Sequence, residues 1–192
     1  MIIHLNGWPG AGKKTIGQVL AKQLEARFIH NHLLHDVAIT CAGFDMEQRW
    51  VVYEAVRSAA YNALAKRPKS EVFVMTNALC KNALREQDAW KHVVELAIRR
   101  DMPLIPIVLT LDAEENFKRV QSSDRVGKKL SDPKELEGYF VVDSIQIPDV
   151  AETFILDVTR LSAEVAAKQI ARYIKKIEYD VHSATPQHLQ LR

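Results

Sequence analysis

Residues 7–15 read Gly7-Trp8-Pro9-Gly10-Ala11-Gly12-Lys13-Lys14-Thr15, between a short apolar run at residues 1–6 and a helical pattern that begins near Lys13. Glycines let a backbone turn with its N–H groups inward. Those donors and the positive end of the following helix form a nest for phosphate oxygens. Lys13 adds a mobile charge for the β and γ phosphates. The stretch therefore predicts a phosphate-binding loop between a strand and a helix.

The residue after Lys13 departs from the usual form of this loop. The common pattern is G-x-x-x-x-G-K-[S/T], whose hydroxyl binds Mg²⁺. Here Lys14 stands at that position, and the first hydroxyl belongs to Thr15. We expect Thr15 to contact phosphate or metal, or Mg²⁺ to be held mainly by the phosphates and water. Lys14 either joins the phosphate site or faces solvent as an ordinary residue of the first helical turn.

Composition is typical of a globular protein with one buried core. The chain has 192 residues, 47% apolar and 26% charged, with a net charge of +2, which is no general argument for nucleic-acid binding. Cys41 and Cys80 make no disulfide framework, and no leader or membrane-spanning run is evident. We expect a soluble, cytoplasmic monomer or homodimer without nucleic-acid or membrane partners.

Apolar periodicity predicts strands alternating with helices. Expected strands cover residues 1–6, 28–30, 71–76, 107–111 and 153–157, the fourth starting late because of Pro103 and Pro106. Expected helices cover residues 13–25, 46–66, 84–100, 113–121 and 163–177, with short ones near Val37 and after Asp132. Such alternation predicts an α/β fold whose mostly parallel sheet is covered on both faces. Residues 179–192 read as a flexible tail.

Polar residues follow several of these strands where the strands end. The phosphate-binding loop follows strand one, residues 30–36 follow strand two, Thr76 and Asn77 follow strand three, and a basic loop at 122–131 lies beyond strand four. Ligands of parallel sheets bind at the carboxyl ends of the strands. The sequence therefore predicts a single site that gathers these segments.

Residues 115–121, followed by Arg125 and the run 127–132, look like the lid of the nucleoside monophosphate kinase–shikimate kinase group of P-loop kinases. With the phosphate-binding loop and the order of elements, the chain resembles this group over nearly its whole length. It is also similar to a shikimate-kinase-like, ATP-binding subgroup in which an Asn-His pair follows strand two and Gly-Lys-x-Thr closes the loop. The resemblance implies a three-layer α/β/α sandwich with strand order 2-3-1-4-5, a domain over residues 1–178 and a lid near 119–132.

The same resemblance implies ATP and Mg²⁺ as cofactors. Arg119 would lie near the adenine or the phosphates, and Arg125 would reach the transferring phosphoryl group. Adenine would lie between Arg119 and the loop after strand five, near Thr159 and Arg160. The ATP phosphates would be bound by the loop, that is, by Gly10, Ala11, Gly12, Lys13, Lys14 and Thr15, with Thr15 as the metal ligand.

The acceptor side departs from shikimate kinases, which have a strand-two aspartate and a glycine triplet after strand three. We expect Asn31 and His32 to bind the acceptor. Asp36 has two interpretations, an acceptor-side base or metal-organising carboxylate, and the N-cap of the helix near Val37. Arg57 either holds an anionic acceptor or lies on a solvated helical face, and Asn77 either positions water around Mg²⁺ or serves a turn.

Histidines cluster after strand two. His30 and His32 alternate along an expected strand and so would face one side, with His35 following within a turn. A zinc site would need a fourth ligand, and the sequence has no cysteine pair to support one. Acceptor binding by Asn31 and His32 is therefore favoured over a zinc site.

Two classes of function fit these residues. The first is an ATP-dependent small-molecule kinase, with Lys13, Arg125 and Asp36 as catalytic residues and a hydroxyl or phosphate acceptor of unknown identity. The second is a nucleotide-binding regulatory or interaction module without transferase activity, suggested by Lys14 and by the missing acceptor signatures. Phosphorylation of nucleic-acid 5′ ends is disfavoured, because the net charge is near neutral and no basic stripe is interleaved with aromatic residues.

Overall fold

A computed structural model describes residues 1–43, 45–122, 130–150 and 152–183 of the chain. Strands alternate with helices along these residues. The strands are β1 (Ile2–Gly7), β2 (Arg27–His30), β3 (Phe73–Thr76), β4 (Leu104–Thr110) and β5 (Phe154–Asp157). The helices are α1 (Lys13–Gln23), α2 (His32–Ala42), α3 (Met46–Ala65), α4 (Leu84–Arg100), α5 (Ala113–Val120), α6 (Pro133–Val142) and α7 (Ala163–Ser183).

The five strands form one parallel sheet in the order β2-β3-β1-β4-β5. This order and direction confirm the α/β sandwich and the strand order 2-3-1-4-5. The central strand is β1, where Leu5 pairs with Thr76 of β3 on one side and with Ile107 of β4 on the other. The loop after β1 therefore lies in the middle of the carboxyl edge of the sheet. Strands β2 and β3 lie on one side of β1 and strands β4 and β5 on the other, and ligands of such sheets bind where the strand order changes direction.

Two apolar cores lie on opposite faces of the sheet, because consecutive side chains of a strand alternate between its faces. One core packs Ile3 and Leu5 against α1 and α7. The other packs Ile2, Phe73 and Met75 against α2, α3 and α4. His4, 1% exposed, lies at the next position along β1 after Ile3, and its ring is 5.3 Å from that of Trp90 in α4. A polar ring is thus buried beneath the carboxyl edge.

The fourth strand begins earlier than predicted. β4 starts at Leu104 rather than near Ile107, so Pro106 lies inside a strand and opposite His4. Pairing between β4 and β5 begins only at Ile107. Pro106 therefore lies where β4 has no β5 partner, and its missing N–H group is tolerated there as it is on an edge strand.

The helix after β2 also begins earlier than predicted. α2 starts at His32, and the backbone carbonyl of Asn31 accepts from the N–H groups of Leu34 and His35 at 3.0 and 3.2 Å. The interpretation of Asp36 as an N-cap is therefore wrong, since Asp36 lies inside the helix. His30 ends β2 and His32 opens α2, so the expectation that both lie on one strand is wrong as well.

The last helix is longer than predicted, since α7 continues to Ser183. Helix α7 thus extends into the segment 179–192 that is predicted to be a flexible tail, and residues 184–192 lie outside the described residues. Other expected boundaries agree more closely. Asp45 caps α3 by accepting from the N–H of Gln48 at 2.9 Å, and Asp132 caps α6 by accepting from the N–H of Lys134 at 2.9 Å. No described helix is both long and apolar enough to cross a bilayer.

Candidate functional site

The loop between β1 and α1 has the backbone that its glycines predict. Gly10 and Gly12 have φ angles of +93° and +81°, a region that disfavours other residues. A Cβ atom at Gly10 would also meet the side chain of Asn116 and, at 2.9 Å, Cγ2 of Val120. The backbone of this loop therefore runs directly against α5, and it turns into the N-terminus of α1 at Gly12.

Lys13 is the first residue of α1, and its side chain reaches back over the loop. Its Nζ donates to the carbonyl oxygens of Gly7 at 2.6 Å and of Trp8 at 2.9 Å. The ammonium group is thus held at the mouth of the loop, beside the N-terminus of α1. Fixed donors and a positive charge at a helix N-terminus are suited to a phosphate chain.

A cavity of about 420 Å³ opens beside this loop. Pro9, Gly10, Gly12, Lys13, Lys14 and Thr15 line one side. The ends of β2 and β3 line another through Asn31, His32, His35, Thr76, Asn77 and Ala78, a group we call the acceptor half. Arg119, Ser122 and Leu130 complete the lining. One cavity therefore joins the phosphate-binding loop to the polar residues that follow strands two and three.

Two asparagines of the acceptor half are held by buried partners. The Tyr53 hydroxyl donates to Oδ1 of Asn31 at 2.7 Å, and His4 Nε2 lies 3.0 Å from Oδ1 of Asn77. An amide oxygen only accepts, so Nε2 of His4 carries the proton. Burial, followed by the charge of Lys13, lowers the pKa of His4 to about 4, while the bond to Asn77 opposes the shift. His4 is therefore a neutral donor at pH 7.

His35 lies on the same side of the cavity, stacked on Tyr53. The two ring centroids are 4.3 Å apart with 21° between the planes, and the edge of Trp50 meets His35 at 5.6 Å. Burial lowers the pKa of His35 to about 4, with a further lowering by Arg49 and an opposing effect of Asp36. This imidazole is therefore neutral near pH 7 and too weak a base to take a proton there efficiently.

Arg119 connects α5 to the loop after β5. Its Nε donates to Glu115 at 2.7 Å, and Nη2 donates to the carbonyl oxygens of Val158 at 3.0 Å and Thr159 at 2.9 Å. The guanidinium plane is therefore fixed beside the cavity, next to the segment where the sequence predicts the adenine.

Comparison with solved structures identifies the fold. A proposed kinase from Chloroflexus aurantiacus superposes with a TM-score of 0.67 at 19% identity, over 91% of this chain and 96% of its own. A gluconokinase from Sinorhizobium meliloti gives 0.61 at 19% identity, over 95% and 96% of the two chains. A shikimate kinase from Acinetobacter baumannii gives 0.60 at 19% identity, over 92% and 94%. The chain has the fold of the P-loop kinases.

Comparison with family models and with curated proteins finds no match. The resemblance drawn from the sequence is confirmed for the fold, and small-molecule kinases are among the structural neighbours of the chain. Similarity at this level of identity shows the fold and does not assign roles to individual residues.

The P-loop kinase fold brings many of the predicted site residues to the cavity. Those that line it are Gly10, Gly12, Lys13, Lys14, Thr15, Asn31, His32, Asn77 and Arg119. Ala11, a residue of the loop, is fully buried and does not line the cavity. Arg125 lies outside the described residues, but Ser122 and Leu130, the described residues that flank its segment, both line the cavity. The described residues on either side of positions 123–129 therefore both lie at the cavity.

Besides Ala11, three predicted residues do not line the cavity. Asp36 is exposed, one position after His35, and consecutive residues of a helix lie about 100° apart around its axis. Arg160 is exposed and does not line the cavity. Arg57 is only 3% exposed, because its guanidinium contacts Glu54 and Asp88 and lies over the Tyr53 ring, 5.5 Å from the centroid.

Thr15 is exposed and lines the cavity, so its hydroxyl oxygen could serve as a ligand of Mg²⁺ beside the phosphate-binding loop. One hydroxyl fits this cation, since Mg²⁺ commonly keeps several waters and takes its other ligands from phosphates. The ammonium group of Lys14 cannot ligate a cation. Among the described residues, Glu54, Asp88 and His92 bring three possible metal ligands together, but none of them lines the cavity and Arg57 contacts both carboxylates.

Sequence reasoning missed four residues of the site, namely His4, His35, Tyr53 and Thr76. His35 and Thr76 lie beside predicted site residues, but the sequence assigns neither of them a role of its own. Tyr53 reads as an ordinary core position of a helix, and no spacing links it to Asn31. His4 carried a usable signal, because a histidine inside a mostly apolar strand is expected to be buried with a polar partner.

Proposed function

We propose that the protein is an ATP-dependent kinase that transfers the γ-phosphoryl group to a hydroxyl of a small molecule. The observation that carries this proposal is the single cavity in which Lys13 of the phosphate-binding loop and Asn31 and Asn77 of the acceptor half meet. A nucleotide bound by the loop would place its terminal phosphate toward the acceptor half. Transfer depends chiefly on such positioning and on the neutralisation of charge.

In this proposal the loop N–H groups and Lys13 bind the β and γ phosphates. Thr15 holds Mg²⁺, which supplies charge neutralisation on the phosphates. The acceptor oxygen forms a bond to the γ phosphorus, the bond from that phosphorus to the β–γ bridging oxygen breaks to release ADP, and the hydroxyl proton passes to solvent water. Arg119 lies on the adenine side, and Arg125 of the lid would stabilise charge on the transferring group once the lid excludes water.

Nucleotide titration of variants tests the donor side. Lys13→Ala removes charge-assisted bonds to phosphate, so we expect ATP affinity measured by calorimetry to fall roughly 10- to 100-fold. Lys22→Ala is the matched control, since Lys22 is exposed in the last turn of the same helix. Equal affinities of the Lys13→Ala variant and the native chain would contradict nucleotide binding by this loop.

A coupled assay of ADP release over a broad panel of hydroxyl compounds tests the transfer step, with release in the absence of any acceptor as the background. Acceptor-dependent release supports the kinase. Tight ATP binding with no acceptor-dependent release across the panel supports the nucleotide-binding module instead. Arg125→Ala should lower turnover more than it lowers ATP affinity, and an unchanged turnover would contradict the role assigned to the lid.

A further inference from the structure

The acceptor half contains amides, a hydroxyl and imidazoles, but no lysine, arginine or carboxylate among its described residues. The cations that line the rest of the described cavity lie elsewhere. Lys13 and Lys14 open α1 beside the phosphate-binding loop, and Arg119 is fixed to Glu115 and to two carbonyl groups after β5. All three belong to the nucleotide side of the proposed reaction.

Cations near the acceptor half are held away from it. Arg57 is buried against Glu54 and Asp88 and does not line the cavity. The guanidinium of Arg85 lies over the Trp50 ring, 4.9 Å from its centroid. Arg49 acts on His35 electrostatically, but it does not line the cavity either. A carboxylate or phosphate bound against the acceptor half would lose water without gaining a counter-charge from a described side chain of that half, which is unfavourable.

Hydrogen-bond donors are nevertheless present in fixed positions. Because Oδ1 of Asn31 accepts from Tyr53 and Oδ1 of Asn77 accepts from His4, each amide offers its NH₂ group to a ligand in the cavity. Neither NH₂ group donates to another described residue. Thr76, 5% exposed, adds a hydroxyl at the same edge. Uncharged donors held by buried partners suit hydroxyl oxygens, which need no counter-charge.

The acceptor half also contains the flat ring of His35. This ring is held in place by stacking on Tyr53 and by an edge contact with Trp50. An imidazole held in this way is suited to the C–H face of a compact ring or chain that carries hydroxyl groups on its edges. Asp36 is the carboxylate nearest in sequence, and it is exposed and does not line the cavity.

We propose that the acceptor is an uncharged polyhydroxylated molecule, such as a sugar, a cyclitol or an alditol, bound by Asn31, Asn77 and the His35 ring. This inference rests on the proposed kinase function, and it concerns the chemical class of the acceptor. The acceptor would then differ from that of a kinase that recognises a carboxylate or a phosphate group on its acceptor.

Matched pairs of ligands test the class. Each pair has one carbon skeleton in a neutral and an anionic form, such as an aldose with its aldonate or a cyclitol with its monophosphate. Binding to the full chain with Mg²⁺ and a non-hydrolysable ATP analogue is measured by ligand-detected NMR at pH 8, where a histidine of ordinary pKa is neutral. We expect a neutral member to bind at least about tenfold more tightly than its anionic partner. Tighter or equal binding of the anionic members, or no binding by any neutral member, overturns the proposal.

The variant Asn31→Asp provides a sharper test. It has nearly the same shape and keeps the acceptor for Tyr53, but it replaces the NH₂ donor with a negative charge. A hydroxyl can donate to that charge, so the affinity of a neutral ligand should change by less than about tenfold, whereas an anionic ligand should lose more than about 100-fold. Arg49→Gln is the control for the cation that acts on His35 electrostatically, and a neutral ligand should keep its affinity within about twofold. A larger loss in Arg49→Gln overturns the proposal.

These outcomes separate the inference from the proposed function. ADP release that depends on an anionic acceptor would support the proposed kinase function and would contradict the proposal that the acceptor is uncharged. Selective binding of a neutral ligand without transfer of phosphate to it would preserve the neutral ligand class and overturn the kinase.

Discussion

His4 Nε2 lies 3.0 Å from Asn77 Oδ1, and this contact joins the middle of β1 to the end of β3 beneath the cavity. The histidine is fully enclosed, with its ring against Trp90, and it is neutral in the folded chain. Asn77 is therefore oriented by a residue 73 positions away in sequence, which does not line the cavity. The acceptor half is shaped by the core below it as well as by its own residues.

The first prediction concerns pH and the buried histidine. Burial lowers the pKa of His4 in the folded chain to about 4, from 6.5 in the unfolded chain. Between these values the unfolded chain binds a proton that the folded chain does not, so the free energy of unfolding falls as the pH falls from 6.5 toward 4. The contribution of His4 is on the order of 3 kcal/mol. Denaturant unfolding measured across this range checks the slope.

His4→Gln is the control for this pH dependence, because a glutamine amide can donate to Asn77 and does not titrate. The variant should show a shallower fall in stability below pH 6.5. His35 also has a lowered pKa of about 4 and remains in both chains, so only the difference between the two slopes belongs to His4. Parallel curves for the two chains would contradict the assignment.

The second prediction concerns the tight backbone at Gly10. Gly10→Ala should destabilise the fold by about 2 kcal/mol or more, because the φ angle of +93° is unfavourable for alanine and the new methyl meets Asn116 and Val120. Gly138→Ala is the matched control. Gly138 lies in helix α6 with open space at its Cβ position, so the variant should be neutral or stabilised by up to about 1 kcal/mol.

Thermal or denaturant unfolding of the two glycine variants checks this prediction. Asn116→Ala in the Gly10→Ala background removes part of the steric conflict and should restore part of the lost stability. Equal stabilities of Gly10→Ala and Gly138→Ala would show that the loop does not run against α5 as described.

The third prediction concerns Arg57, which the sequence offered as an anchor for an anionic acceptor. Its guanidinium is buried against Glu54 and Asp88, and its face covers Tyr53. Arg57→Met should therefore reduce the free energy of unfolding by about 1–3 kcal/mol, because both carboxylates lose their partner and the packing on Tyr53 changes. The ratio of affinities for neutral and anionic ligands should stay unchanged.

Arg99→Met is the control for Arg57, since Arg99 is an exposed residue of α4 whose Nη2 donates to Asn62. It should cost less than about 0.5 kcal/mol. A selective loss of affinity for anionic ligands in Arg57→Met would contradict this prediction and would indicate that Arg57 binds the acceptor.

Features set by neighbouring residues were predictable from the sequence. The spacing from Gly7 to Lys13 predicts a turn followed by a helix N-terminus, and the alternation of apolar runs predicts the parallel sheet. Together they bring the loop and the ends of strands two and three to one edge, which is where the cavity lies. The order of the strands required the resemblance to a known group, because several orders satisfy the same alternation of elements.

Features set by contacts between distant residues were not predictable. The bond between Tyr53 and Asn31 depends on how α3 packs beside α2, and the burial of Arg57 depends on Asp88 of α4. Judged from local sequence alone, Pro106 predicts that the fourth strand begins after it, yet β4 pairs with β1 from Leu104 onward. Tertiary pairing overrides local preference at such positions, as it commonly does in strands.

The last prediction concerns the aromatic contacts between the phosphate-binding loop and α6. The ring of Trp8 meets Phe140 edge-on at 5.0 Å, and Phe140 lies 5.7 Å from Phe117 of α5. Because Trp8 belongs to the loop that would bind the nucleotide phosphates, its emission should change when Mg²⁺-ADP binds. A chain with Trp50→Phe and Trp90→Phe isolates this signal. Phe140→Ala should weaken ADP binding roughly two- to tenfold, since such an aromatic pair contributes about 0.5–1.5 kcal/mol.

Phe154→Ala in the same single-tryptophan chain is the matched control, because it also removes a phenylalanine ring from an aromatic pair, the one stacked 4.4 Å from Tyr173. This variant should lose stability but keep the ADP affinity and the full Trp8 response. Phe140→Ala should instead blunt the response, because the Trp8 ring no longer contacts α6. An identical Trp8 response in both variants would mean that nucleotide binding at the loop is not transmitted to α6, the helix that follows the predicted lid.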